Sequence, residues 1–123
     1  MGLARENLEE IVKGINENSK AQKVFITNIG GKDVYWDTTF QFNLDDEEPF
    51  HLEIKDTKAY LHDGEAVDPD VLLIGDNKAI EKVCSGQGDF THAISREEIT
   101  VEKGKVMDVI RLTRAITIVL RLK

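Results

Sequence analysis

Cysteine is nearly absent: of 123 residues, only Cys84 carries a thiol. One cysteine closes no intrachain disulfide and builds no multi-cysteine zinc site. With no histidine near it in sequence to draw off its proton, Cys84 reads as a small core residue rather than a nucleophile. Cations are the minority, 16 Lys and Arg against 23 Asp and Glu, for a formal charge of −7. A nucleic-acid surface needs clustered cations to displace counterions, so this balance argues against such a partner. Long apolar runs are missing too. The longest lie near residues 71–74 and 116–120, far short of the about 18 that span a bilayer. No basic-then-apolar leader opens the chain, because Glu9, Glu10 and Lys13 interrupt it early, and Arg121-Leu122-Lys123 is no peroxisomal tail. A soluble, reducing, cytoplasmic setting is the expectation. No repeat or Pro/Gly/Ser-rich linker marks a boundary, so residues 1–123 are read as a single domain.

What is present is patterned. Leu8, Ile11, Val12 and Ile15 fall on one face of an N-terminal helix. Residues 19–37 carry no clear period; residues 24–29 fit either helix or strand, and Gly30-Gly31 would end either. Phe40, Phe42 and Leu44 then alternate with Gln41 and Asn43. Phe50, Leu52 and Ile54 alternate with His51, Glu53 and Lys55, and Ala59 and Leu61 with Tyr60 and His62. Parity predicts Leu44 opposite Phe50, Phe42 opposite Leu52 and Phe40 opposite Ile54, around a loop at residues 45–49. It then predicts Ile54 opposite Ala59 and Leu52 opposite Leu61, turning through residues 55–58. Both registers keep the apolar side chains of a three-stranded meander on one face. The continuous apolar run 71–74 reads as a strand buried on both faces. Asp76 caps a predicted helix over residues 77–85 that Gly86 stops, and Asp89 caps another from Phe90 to about Ser95. Ile99 and Val101 flank Thr100 in a strand closed by Gly104. The last segment fits two periods. Val109, Leu112, Ile116, Val119 and Leu120 form a helical stripe, while Ile116, Ile118, Leu120 and Leu122 alternate as in a strand; a helix throughout is the preferred reading.

The chemistry-bearing residues are sparse. His51 and His62 face each other across the outer side of the second and third strands. With only Glu53 and Tyr60 as neighbours they lack a third metal ligand and read as solvated imidazoles. Asp45-Asp46-Glu47-Glu48 has neither the spacing nor the glycine of a calcium loop and reads as a solvated turn. Gly30-Gly31 and Gly86-Gln87-Gly88 match no phosphate loop and read as helix stops. Ser19, Ser85 and Ser95 lack a nucleophile-elbow context. Charge is unevenly spread: residues 103–123 hold Lys103, Lys105, Arg111, Arg114, Arg121 and Lys123 against the single acid Asp108. On a helix, Arg111, Arg114 and Arg121 project to one side, opposite the Val109–Leu112–Ile116 stripe. Such a helix suits transient contact with an anionic membrane; equally, its cations suit the helix dipole and balance an acidic body.

The ordered residues resemble the sterol carrier protein 2 domain family. The similarity begins at Trp36-Asp37-Thr38-Thr39-Phe40-Gln41-Phe42 and runs through Pro49-Phe50-His51-Leu52-Glu53-Ile54-Lys55-Asp56. It continues in Gly64-Glu65-Ala66, Asp68-Pro69-Asp70-Val71 and Cys84-Ser85-Gly86, then Phe90, the strand at residues 99–101, Gly104 and Leu112. Thr57 and Arg96 stand where the family has Gly. The resemblance implies an α+β fold: a five-stranded, mostly antiparallel sheet covered on one face by helices, with an apolar tunnel between the layers. It further implies binding of a hydrophobic small molecule or lipid, such as a fatty acid, acyl-CoA or sterol, with no cofactor. Phe42, Leu52, Phe90, Ile94, Val101, Leu112 and Ile116 are the expected lining. Two other classes remain: a small α+β enzyme using a pocket carboxylate as general base, and a scaffold presenting a lipophilic intermediate such as a quinone precursor. The inward strand positions (Phe40, Phe42, Leu52, Ile54, Leu61, Ile99, Val101) include no acid, which favours non-enzymatic binding over the enzyme.

Overall fold

Alternation along the strands decides the architecture: each apolar set needs a cover on one side only. In the computed structural model, which describes residues 3–45, 47–86 and 90–121, that cover is helical. The elements run α1 (Leu3–Asn16), α2 (Ser19–Lys23), β1 (Ile26–Ile29), β2 (Lys32–Tyr35), β3 (Thr38–Leu44), β4 (Phe50–Lys55), β5 (Lys58–Asp63) and β6 (Val71–Gly75). They continue with α3 (Asn77–Ser85), α4 (Phe90–Ser95), β7 (Ile99–Lys103) and α5 (Val106–Arg121). The main sheet has the order β5-β4-β3-β6-β7, antiparallel throughout except for the central β3–β6 pair. The expected α+β class and mostly antiparallel five-stranded sheet are therefore present.

The parallel pair has a local cause. After β5 the chain crosses the outer face of the sheet through residues 64–70 and enters beside β3 from its starting end. Asp70 fixes the entry, its Oδ2 accepting from Thr39 N at 2.9 Å while its own N–H donates to Thr39 O at 3.0 Å. Gln41 lies buried beneath the crossing, its Oε1 accepting from Ala66 N at 2.7 Å. Helix ends follow the expected chemistry. Asp76 caps α3 by accepting from Lys78 N, and Gly86 closes it in the left-handed conformation. The expected Asp89 cap lies outside the described residues. At the crossing of α1 and α5 only a glycine fits, since a Cβ on Gly14 would overlap the Val119 side chain.

Four expectations are corrected. The β3–β4 register is Phe42 opposite Phe50, Phe40 opposite Leu52 and Thr38 opposite Ile54, two residues from that predicted. A shift of two preserves parity, so every face assignment survives. Its cause is that Asn43 and Leu44 continue along β6 instead. The acidic turn also does more than solvate: Glu47 Oε1 and Oε2 accept from Ala4 N and Arg5 N at 2.7 and 3.2 Å, capping α1. Strand β6 is buried on one face only. Val71 and Leu73 point inward, whereas Leu72 is half-buried and Ile74 exposed, because the helices pack on the opposite side. Finally, Gly30-Gly31 stops no helix. It turns a hairpin, and the unreadable residues 19–37 resolve into α2 and β1–β2. The β4–β5 register, with Ile54 opposite Ala59 and Leu52 opposite Leu61, is as expected, and the terminal segment is a helix throughout its described length.

Candidate functional site

The inner face of the sheet is mostly apolar across its three central strands. Phe40, Phe42 and Leu44 of β3 lie beside Phe50, Leu52 and Ile54 of β4 and Val71 and Leu73 of β6, all buried. Phe42 and Phe50 stack with ring centroids 5.0 Å apart. Above them α1 contributes Leu8, Ile11, Val12 and Ile15, α3 contributes Ile80 and Val83, and α5 contributes Val109, Leu112, Ala115, Ile116 and Val119. Six of the seven expected lining residues belong to this one cluster. Phe42, Leu52, Leu112 and Ile116 are at most 1% exposed, whereas Ile94 of α4 and Val101 of β7 are only partly buried. Phe90 opens α4, and its side chain lies outside the described residues. The cover is thus tight over the middle of the sheet and looser at the α4–β7 corner. Among the described residues the buried polar side chains are Thr38, Gln41 and Asn77.

A second cluster was not legible in advance. Trp36 packs between Phe25 and Phe40, both centroid separations 5.7 Å, the latter edge-on. The Arg111 guanidinium lies over the Trp36 ring at 4.6 Å. Its Nε donates to Val24 O at 2.7 Å and its Nη2 to Thr27 Oγ1 at 3.0 Å. Arg111 therefore faces inward to the start of the hairpin rather than joining Arg114 and Arg121 on an outer basic side. Burial lowers its pKa, with Asp108 opposing and Arg114 adding to the shift. The sequence signal available was the spacing Phe25–Trp36–Phe40, hidden because residues 24–29 fit two periods.

The outer face offers polar groups but little enclosure. His51 and His62 are directly opposite and stacked, centroids 5.0 Å apart. His51 Nδ1 meets Gly64 O at 2.9 Å, and His62 Nε2 meets Glu53 Oε1 at 3.3 Å. Among the described residues no group of three or more His, Cys, Asp or Glu side chains is placed to hold a metal ion. Cys84 is buried, and burial, with Glu81 adding to it, pushes the thiol up to about 12. A thiol so protonated is a poor nucleophile. No described helix is long and apolar enough to cross a membrane.

Comparison with known proteins places this geometry. No family model matches the sequence, and no curated protein sequence matches it. Solved structures do match. A crystal structure of sterol carrier protein 2 superposes with a TM-score of 0.62 at 14% identity, over 95% of this chain and 92% of that one. Sterol carrier protein 2 of Aedes aegypti, solved in complex with the C16 fatty acid palmitate, gives 0.64 at 15% identity over 94% and 96%. The ubiquinone synthesis protein UbiJ-SCP2 gives 0.66 at 12% identity over 90% of each chain. The one-faced apolar sheet, its helical cover and these superpositions together show that the chain has the sterol carrier protein 2 fold.

Proposed function

We propose that this chain is a non-enzymatic protein that binds a hydrophobic ligand, a fatty acid, acyl-CoA, sterol or similar lipid, between its sheet and its helices. The carrying observation is the apolar inner face of the central strands under a helical lid, in a fold whose Aedes aegypti neighbour holds palmitate. Phe42, Leu52, Phe90, Ile94, Val101, Leu112 and Ile116 are the proposed contacts. Ile94 and Val101, the partly buried members, mark the corner where the ligand enters. Among the described residues no carboxylate is buried; Asp63, at the β5 edge of the inner face, is exposed and paired with Arg5, so a proton-abstraction mechanism finds no buried base there.

Energetics set the selectivity. Each buried methylene contributes about 0.8 kcal/mol, so a dozen give about 10 kcal/mol gross. Ordering the chain and losing translational freedom cost several kcal/mol, leaving affinity near micromolar. Fluorescent fatty-acid titration should therefore show affinity rising with chain length. Leu112→Asp should weaken binding sharply, since its carboxylate must be desolvated or keep water in the layer; Arg114→Ala, at an exposed position, should leave equilibrium binding unchanged. A flat chain-length response, or equal losses for the two variants, would overturn this reading and reopen the enzyme. The UbiJ-SCP2 neighbour favours one further reading, a scaffold that presents a lipophilic intermediate. Native mass spectrometry of the purified protein separates the two by the class of lipid retained. Transfer to an anionic membrane through α5 is part of the proposal, with Arg114 and Arg121 as its exposed cations.

A further inference from the structure

Of the eight exposed large apolar side chains among the described residues, five lie on the β1–β2 hairpin and the first turn of α5: Ile29, Val34, Tyr35, Val106 and Met107. The two elements are held together by Arg111, whose side chain reaches Thr27. Pairing then fixes what shares a face. Thr27 is opposite Val34 and Ile29 opposite Lys32, so these four side chains project to the same side of the hairpin as the Arg111 contact. Met107 precedes Arg111 by one helical turn and occupies the same stripe of α5. Ile29, Val34 and Met107 are 62%, 47% and 68% exposed. Asn28 and Asp33 pair on the opposite side, joined by a 3.1 Å hydrogen bond.

Charge selects the occupant. Residues 20–35 and 105–114 hold Lys20, Lys23, Lys32, Lys105, Arg111 and Arg114 against only Asp33 and Asp108, a net +4 in a chain of net −7. The hairpin acid, Asp33, faces away from the apolar side chains, and Asp108 is half-buried. Exposed apolar side chains on segments rich in lysine and arginine match a lipid interface with anionic headgroups, where side chains enter the acyl boundary and cations meet phosphate and carboxylate. We infer that the tip of the β1–β2 hairpin, with Met107 of α5, is the surface by which this protein docks on an anionic bilayer. The inference rests on the lipid-binding reading for its purpose, and extends the membrane contact proposed for α5 to the hairpin that Arg111 ties to it. A second copy of the chain, whose other surfaces are acidic, is the competing occupant.

The test is flotation of the full chain with vesicles of phosphatidylcholine alone or with phosphatidylserine. Flotation should require phosphatidylserine and weaken with salt. Lys32→Ala should lower partitioning about fivefold, one cation's share, and Ile29→Asp with Val34→Asp by tenfold or more. Met107→Asp, on a different element and independent of hairpin folding, should also reduce it. Val67→Asp, more exposed still but on the outer-face crossing, should not. Failure of the wild type to float, unchanged flotation of the hairpin and Met107 variants, or an equal loss with Val67→Asp would overturn the proposal. So would a dimer in sedimentation that Val34→Asp disperses. Fatty-acid titration of the same variants keeps the two readings apart: the hairpin variants should retain wild-type affinity. A protein that floats yet takes up no fatty acid would refute the carrier and not the docking surface.

Discussion

The β1–β2 hairpin turns through Gly30 and Gly31, at φ +58° and +85°, whereas β4–β5 turns through Asp56 and Thr57, at +51° and +68°. Tight two-residue turns want both central residues in the left-handed region, where glycine rests easily and a β-branched residue does not. Their surroundings are reversed. The glycine hairpin buries almost nothing along its strands and is held at its start by Arg111 and Trp36. The strained hairpin lies on the core: Leu52, Ile54 and Ala59 are at most 1% exposed. In addition, Asn16 at the end of α1 donates to Ala59 O at 2.9 Å and accepts from Ala59 N at 2.8 Å. Burial tolerates a poor turn residue, whereas a hairpin without burial depends on good turn residues and one polar anchor.

Four measurements break or sharpen that contrast. The largest effect is expected for Ile54→Ala, which leaves a cavity beneath β4 and should cost about 3 kcal/mol in urea unfolding. Val34→Ala on the other hairpin should stay within about 0.5 kcal/mol. Next is Arg111→Ala, which removes two charged hydrogen bonds and the ring contact and should cost about 2 kcal/mol. Its signature is local: amide exchange should rise first at residues 26–35 and stay slow in β4 and β5. Third, Thr57→Gly should stabilise by about 1 kcal/mol, relief of turn strain outweighing the added freedom of the unfolded chain, and Gly31→Ala should destabilise by a similar amount.

The smallest effect uses Cys84 as a reporter. In the folded chain burial keeps the thiol protonated up to about 12, while on unfolding it returns to its ordinary 9.0. The unfolded state thus loses this proton first, and this group's contribution to stability is full below pH 9 and falls as pH rises towards 12. Iodoacetamide labelling at pH 8 should follow global unfolding. It should rise no more in Arg111→Ala than that variant's loss of global stability requires; a larger rise would mean that the hairpin and the core open together.

The same contrast explains what was readable. Strands β3, β4 and β5 each bury one face, so period two appears in Phe40–Phe42–Leu44, Phe50–Leu52–Ile54 and Ala59–Leu61, and the face assignment survived even a wrong register. Strands β1 and β2 bury neither face, so nothing in 26–35 needed to alternate, and no period could reveal them. The run at residues 71–74 misled for a related reason. Leu72 is apolar yet only half-covered and Ile74 apolar yet exposed, and continuity alone says nothing about which neighbours exist. The cluster that includes Phe42, Leu52, Leu112 and Ile116 was legible from stripe and alternation. Arg111 was not, because its partners, Val24, Thr27 and Trp36, lie more than seventy residues away in sequence.

The parallel pairing of β3 with β6 has a consequence for synthesis. As the chain leaves the ribosome, β3, β4 and β5 can pair as soon as residue 63 is clear. The second edge of β3, with Phe40 and Phe42 beside it, then stays open until residues 71–75 arrive. Even then the inner face lacks α5, made last. For that interval a nascent chain presents an unpaired, aromatic strand edge, the feature most prone to capture by another copy. The four acids at residues 45–48 follow that edge directly. Like charges at a strand end oppose edge-to-edge pairing of two copies.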